Sequence, residues 1–414
     1  MEAISRIHER WKLCTFASIL GCFILWMCLN RSHDVRNLVH TITLQSSSDI
    51  DVLGSGISEN GRTLHQRDVK CNMFKGRWVY KPMENLLYDD FRCPFLSDQV
   101  SCRRHGRPDF EYEKWSWEAH ECEIPRFDGR DMLERLRGKR VVMVGDSLNR
   151  NQWESLACLL YSAIPSSTAE IDFQNGSYKV FRAKDYNVSV EFYWSPFLVQ
   201  LDKKQANGTK ILRLDKIDAT ARRWHGADVM VFNTGHWWVH RGKLRAWDMF
   251  GYEGKLVEEM NIEKAFAMAM KTWENWVDDN VLPTKTSVYF RSISPEHKGK
   301  DWCYNVTQPI KKESHMVASF PEPLMEIVGA TFHRMRTPVR YLNITELSQY
   351  RRDAHPTIYG RKTGKQLIEK KGKRPEHIAD CSHWCLPGLP DTWNRLLYAS
   401  MVLDISGGGS AAGS

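Results

Sequence analysis

In this 414-residue chain the run Arg140-Val-Val-Met-Val-Gly145 is followed at once by Asp146-Ser147-Leu148, a junction few folds can accommodate. An unbroken apolar run of this length reads as a strand buried on both faces. Residues 149–161 then show helical spacing, so a strand turns directly into a helix. Further strand candidates lie at 188–194, which alternates apolar and polar residues, and at 228–233, 287–291 and 339–343. Residues 262–281 form a second helical stretch. Strand–helix alternation predicts an α/β domain whose mainly parallel sheet is covered on both faces. Sites in such sheets lie at the carboxyl ends of the strands. Two of those ends carry chemistry here: Gly145-Asp146-Ser147 and Asn233-Thr234-Gly235-His236.

Glycine permits a tight turn at position 145. Ser147 then sits at the helix start, where free backbone N–H groups stabilise an anion. Taken alone, Gly-Asp-Ser is also a plain helix cap, and Asp146 reads as that cap rather than as a second acid. A serine nucleophile needs a base, and the base needs an orienting acid. Asp380-Cys381-Ser382-His383 places a carboxylate and an imidazole three residues apart, a spacing that suits a supporting turn. The two motifs stand at opposite ends of one predicted domain, and together they say more than either alone. Asp353 and His355 form a rival pair that reads as a structural turn.

Residues 13–30 carry no charge and, as a helix, would rise about 27 Å, close to the hydrocarbon thickness of a bilayer. The run is long and lacks a clear cleavage site, so it reads as a transmembrane signal anchor. The expected order is a cytosolic tail at 1–12, the anchor at 13–30 and a Gly/Ser-rich stem at 31–70. A lumenal domain then spans 71–405, and a flexible tail at 406–414 is excluded from the fold. Five Asn-x-Ser/Thr triplets, at Asn175, Asn187, Asn207, Asn305 and Asn343, support a lumenal glycoprotein. Of eleven cysteines, three lie in or beside the apolar run. The other eight are an even set that suits four disulfides of undetermined pairing. Cys381 and Cys385 flank His383, but no second close cysteine pair completes a zinc site, so no metal is expected. The net charge of +8 is spread along the chain and reads as a solvated surface. No nucleotide-binding loop is present, and nucleic acid is not an expected partner of an anchored lumenal chain.

The string Gly145-Asp146-Ser147-Leu148-Asn149-Arg150-Asn151-Gln152-Trp153-Glu154-Ser155 and the string running from Asp380-Cys381-Ser382-His383-Trp384-Cys385 through Leu386-Pro387-Gly388-Leu389-Pro390-Asp391-Thr392-Trp393-Asn394 resemble the paired signatures of the plant trichome birefringence-like family. That family belongs to the PC-esterase branch of the SGNH/GDSL fold. The resemblance covers about residues 71–403 and includes Tyr193-Trp-Ser-Pro-Phe-Leu198, Phe232-Asn-Thr-Gly-His-Trp-Trp238 and Arg352-Asp-Ala-His-Pro356. It implies an SGNH/GDSL-like three-layer sandwich, stabilised by disulfides, on a single-pass type II Golgi membrane protein. It also implies an O-acetyltransferase acting on a plant cell-wall polysaccharide, xylan being the best single choice. Ser147 matches the family nucleophile, His383 the base and Asp380 the orienting acid. The expected course is double displacement through an acetyl-serine. No cofactor is expected to stay bound; an acetyl donor such as acetyl-CoA is the co-substrate.

The Ser147 N–H, Asn233 and Arg150 are candidate oxyanion donors. His236, Trp237 and Trp238 either line a sugar groove or pack a loop. By analogy to the family the disulfides pair Cys71 with Cys122, Cys93 with Cys158, Cys102 with Cys385, and Cys303 with Cys381. Two alternatives stay open: an acetylesterase, in which water resolves the acetyl-serine, and a non-catalytic protein that bridges wall polysaccharides such as pectin.

Overall fold

The computed structural model describes residues 72–84, 86–174, 176–202, 208–299, 302–311 and 322–407. The expected tail, anchor and stem, together with Cys71, lie outside the described residues. Among those described, no helix is long and apolar enough to cross a membrane.

The described chain begins with an antiparallel ribbon, β1 (Gly76–Tyr80) and β2 (Trp115–Ala119). Helix α1 (Gly129–Arg135) leads into β3 (Arg140–Gly145), α2 (Ser147–Tyr161), β4 (Ala169–Gln174), β5 (Tyr178–Ala183) and β6 (Val188–Trp194). Next come β7 (Val199–Asp202), β8 (Ile211–Ile217), β9 (Val229–Phe232), β10 (Met249–Tyr252) and β11 (Lys255–Val257). Helix α3 (Ile262–Asn280), β12 (Ser287–Arg291), α4 (Glu322–Arg334), β13 (Val339–Leu342), α5 (Thr345–Gln349), α6 (Gly364–Glu369) and α7 (Leu389–Gly407) follow. Helix α7 thus runs two residues past the expected domain end at 405.

The main sheet has the order β13-β12-β9-β3-β6-β5-β4. Strands β13 to β6 pair in parallel, while β5 and β4 add an antiparallel edge. All five predicted strands are the parallel ones, and the predicted helices are α2 and α3. A separate four-stranded sheet, β11-β10-β8-β7, was not anticipated.

The apolar run of β3 is continuous because each face has its own core. Val141 and Met143 join Trp153 and Leu156 of α2 in one cluster. Val142 and Val144 face the other way, with Trp273 and Val277 of α3. The same alternation splits Val229 and Val231 from Met230 and Phe232 in β9. This is the expected layered α/β arrangement, and it leaves the strand ends as the exits of the sheet. In β6, Val188, Val190 and Phe192 are core. Glu191 faces the other way, buried but held by Arg140 Nε at 2.7 Å and Nη2 at 2.8 Å.

Three disulfides join described residues: Cys93–Cys158, Cys102–Cys385 and Cys303–Cys381. Each agrees with the pairing the family resemblance implied. Cys122 is also disulfide-bonded, and its expected partner Cys71 lies outside the described residues. Cys381 and Cys385 are therefore spent on separate staples rather than on a metal.

Candidate active site

The turn from β3 into α2 is built from side chains that close on one another. Asp146 caps the helix, its Oδ1 accepting from the Leu148 N–H at 2.9 Å. Asn233, just past β9, donates from Nδ2 to that Oδ1 at 3.0 Å and accepts the Asp146 N–H at 3.2 Å. Gly145 is required for this approach and not for a positive φ: a Cβ there would lie 1.9 Å from Asn233 Oδ1. Asn149 Nδ2 donates to the carbonyls of Val144 and Val231, tying the ends of two parallel strands together. Ser147 is left half-buried at the first helical position, where its N–H has no intrahelical acceptor.

Residues 378–388 contain no helix or strand, only a bridge from Asp380 to Thr357. The segment is held from several sides. The His297 N–H donates to the Cys381 carbonyl, and the Leu386 N–H donates to Val100. Asn151 of α2 accepts the Trp384 N–H at 2.8 Å and donates back to its carbonyl at 3.2 Å. His355 Nδ1 donates to the His383 carbonyl at 2.7 Å, and its ring stacks on Trp384 at 3.8 Å. Burial, then the neighbouring His297, pushes the His355 pKa well below the usual histidine range. The Asp353–His355 pair is structural, as expected. Asp353 binds Arg351 through two hydrogen bonds, and His355 supports the main chain of the loop.

Ser147, His383 and Asp380 meet. His383 Nε2 lies 2.7 Å from Ser147 Oγ, and its Nδ1 lies 2.9 Å from Asp380 Oδ2. Asp380 Oδ1 accepts the N–H groups of Ser382 and His383, each at 3.0 Å. Burial alone would raise the Asp380 carboxyl. The adjacent His383 and these hydrogen bonds outweigh it and hold the group well below the usual carboxylate range. An ionised Asp380 demands a proton on Nδ1, which leaves Nε2 free to accept from the serine hydroxyl. The arrangement can activate an oxygen nucleophile and return the proton to a leaving group.

The other candidate residues are placed as follows. Asn233 forms the clip on Asp146 already described. Arg150 Nη2 donates to Gln99 Oε1 at 2.7 Å, and its Nε lies 3.6 Å from Glu154. His236 is buried against the Ser294 carbonyl at 2.8 Å and Glu296 at 3.3 Å. Trp238 is fully enclosed in the core, its Nε1–H on Thr234, so it packs the loop and cannot face a sugar. Trp237 keeps partial exposure, edge-on to Trp194. Two residues were not anticipated. Glu296 accepts from Ser382 Oγ at 2.8 Å and pairs with Lys298; burial would raise its carboxyl, but His236, then Lys298, hold it low. Gln99 Nε2 lies 3.1 Å from Asp380 Oδ2 and 3.0 Å from His383 Nδ1. No local pattern marks either residue, because each reaches the site across a long loop of chain.

Residues 124–400 match the PC-esterase family, described as a GDSL/SGNH-like acyl-esterase family found in Pmr5 and Cas1p. The chain belongs to that family. Residues 69–123 match the Pmr5 N-terminal domain, so this PC-esterase has both family segments. It is 40% identical to "Protein trichome birefringence-like 3" of Arabidopsis thaliana over 349 residues, 80% of this chain and 79% of the relative. It is likewise 40% identical to "Probable xylan O-acetyltransferase 8" of Oryza sativa subsp. japonica, over 80% of this chain and 78% of the relative. "Protein trichome birefringence-like 42" of Arabidopsis thaliana is 38% identical over 89% of this chain and 99% of its own length. The PC-esterase is an enzyme of acyl transfer by this kinship.

Proposed function

We propose that this PC-esterase transfers acetyl groups to hydroxyls of a plant cell-wall polysaccharide, xylan being the favoured acceptor, through an acetyl-Ser147 intermediate. The observation that carries the reading is the continuous contact from Ser147 Oγ through His383 to Asp380. Relatives named probable xylan O-acetyltransferase support the acceptor class.

In the first half-reaction His383 Nε2 takes the Ser147 proton while Oγ attacks the acetyl carbonyl. With acetyl-CoA as donor, the thiolate leaves and receives that proton, and the acetyl group stays on Ser147. In the second, a sugar hydroxyl gives its proton to Nε2 and its oxygen attacks the ester. Ser147 Oγ leaves and recovers the proton. Each half passes through an oxyanion, which needs fixed donors. The Ser147 N–H and Asn233 Nδ2, whose second hydrogen Asp146 does not take, are the donors of this reading; Arg150, with Nη2 on Gln99 and Nε facing Glu154, is left out of the oxyanion site. Trp237, half-buried in the loop that follows β9, is assigned to the acceptor side; His236, in the same loop, is buried with its ring nitrogens on Ser294 and Glu296 and braces that loop. The disulfides and the exposed sequon residues Asn187 and Asn305 support a Golgi-lumenal domain, anchored by the apolar run at 13–30.

The test is incubation with acetyl-CoA and separate deacetylated xylan, mannan, xyloglucan and pectin oligomers, with Ser147→Ala alongside. The reading predicts a Ser147-dependent gain of one acetyl group, largest on xylan. Acetyl loss from pre-acetylated oligomers without any gain would make the protein an esterase. Binding without either reaction would make it a bridging protein.

A further inference from the structure

We propose that Gln99, contributed by the N-terminal family segment, is the positioning residue of the triad: a neutral amide that orients Asp380 while keeping the Arg150 charge off its carboxylate. The inference rests on the Ser147–His383–Asp380 reading above.

The orientation of the amide follows from its neighbours. Arginine has donors only. Arg150 Nη2 lies 2.7 Å from Gln99 Oε1, so the oxygen must face Arg150 and the NH2 must face the triad. There, Nε2 stands 3.1 Å from Asp380 Oδ2 and 3.0 Å from His383 Nδ1. Nδ1 carries a proton whenever Nε2 accepts from Ser147, so Gln99 has nothing to donate to at Nδ1. Its hydrogen goes to Oδ2, where it meets the His383 N–H. Oδ1 is occupied by the N–H groups of Ser382 and His383. The carboxylate is thereby fixed by donors on both oxygens, and Gln99 fills the place the loop itself cannot.

The choice of an amide has a chemical reason. A guanidinium in direct contact would bind the carboxylate as a two-pronged ion pair and compete with His383 for it. That would weaken the support Asp380 gives to the imidazolium formed during each half-reaction. Gln99 transmits the orientation of Arg150 without its charge.

Gln99 is well placed to do this. It lies in the turn Asp98–Val100, between Cys93 and Cys102. Ser97 anchors that turn to Glu154 of α2 through its N–H at 3.0 Å and its hydroxyl at 2.9 Å. On the other side, the Leu386 N–H bonds Val100, and Cys102 is joined to Cys385. One short turn therefore touches both the helix that bears Ser147 and the loop that bears His383.

The experiment uses the full chain, with two readouts that need no polysaccharide: the rate at which an alkyl fluorophosphonate labels Ser147, and the pH profile of p-nitrophenyl acetate hydrolysis. Gln99→Met keeps the length and removes both hydrogen bonds; labelling and kcat should fall roughly tenfold with KM unchanged. Gln99→Glu keeps the Arg150 bond but places a negative charge beside His383. It should shift the acid limb of kcat/KM to higher pH by about one unit, since an adjacent anion favours the imidazolium. That limb reports that position 99 faces the imidazole, and it reads out even if Gln99→Met folds poorly; the positioning role itself is read from the loss of kcat at unchanged KM in folded Gln99→Met, which a merely structural role would not produce. Wild-type labelling with an unmoved limb in folded Gln99→Glu would overturn the assignment of Gln99 alone. A wild-type protein that neither labels at Ser147 nor turns over the ester would overturn the triad reading and this inference with it.

Discussion

Ser147 stands where a strand buried on both faces turns into a helix, whereas Asp380 and His383 stand in eleven residues, 378–388, without regular structure. The first position is set by main-chain architecture: parallel ladders, a helix cap and the Asn233 clip. The second is set by added ties: two disulfides, the Asn151–Trp384 pair, and the His355 and Gln99 contacts. A buried turn of this kind fails through loss of packing. A stapled loop fails when its ties are cut, while the sheet survives. The same site should therefore have a rigid half and a dependent half.

The largest effects come from the reacting groups, and they should be equal across the two halves. Ser147→Ala and Asp380→Asn should each lower acetyl transfer by about 10³-fold or more at unchanged fold, read by kcat and circular dichroism. Asp380→Asn fails for a stated reason. The amide turns its NH2 toward His383, which must then carry its proton on Nε2 and can no longer accept from Ser147. Retained activity in either variant would show that the contact is incidental.

Next comes the rigid half. Gly145→Ala drives a methyl into Asn233, whose side-chain amide carbon Cγ and backbone oxygen lie within 3.0 Å of the added atom. Calorimetry should show a loss of about 1–3 kcal/mol or more, as for other overpacked cores. A melting temperature equal to wild type would mean that the clip yields easily and that the turn is not over-determined.

The dependent half is tested by comparing disulfides. Cys102→Ser with Cys385→Ser removes the staple next to His383; Cys93→Ser with Cys158→Ser removes one at the far end of α2. Each pair should cost about 2–5 kcal/mol of stability. Only the first should also slow fluorophosphonate labelling of Ser147 under conditions where both proteins are folded. Equal slowing would erase the distinction between the two halves.

The smallest effect is in pH. The folded pKa of Asp380 lies below its unfolded value, so its contribution to stability is complete above about pH 4 and is lost as the pH falls through the folded value. The melting-temperature margin of wild type over Asp380→Asn should be constant from pH 5 to 8 and narrow below pH 4. A margin that shrinks between pH 7 and 5 would mean the carboxyl is not held low.

The same contrast explains what could be read from the sequence. The five parallel strands and helices α2 and α3 are legible because each is either a continuous apolar run covered on both faces or a hydrophobic period against one covered face. The sheet β11-β10-β8-β7 is not, because its strands are short or half-polar, as in Lys255–Val257, none of whose residues is buried. The two signature strings are legible as a pair, and the structure gives the reason. Gln152 Nε2 donates to Asn394 Oδ1, Asn394 Nδ2 donates back to the Gln152 main-chain carbonyl, and Ser155 Oγ donates to Asp391 at 2.5 Å, so the strings are two sides of one interface. Trp238 could not be told from a sugar platform, since an indole looks the same in sequence whether it is core or groove. Gln99 carries no local signal at all: its contact with Asp380 spans 281 residues and rests on a single amide.

Acetyl transfer through Ser147 leaves a covalent trace that peptide mass mapping after rapid acid quench can detect. With acetyl-CoA and no acceptor, the wild-type protein should carry one acetyl group on the peptide containing Ser147, and adding xylan oligomers should discharge it into product. Turnover with no acetyl on Ser147, or with the acetyl on another residue, would contradict the account.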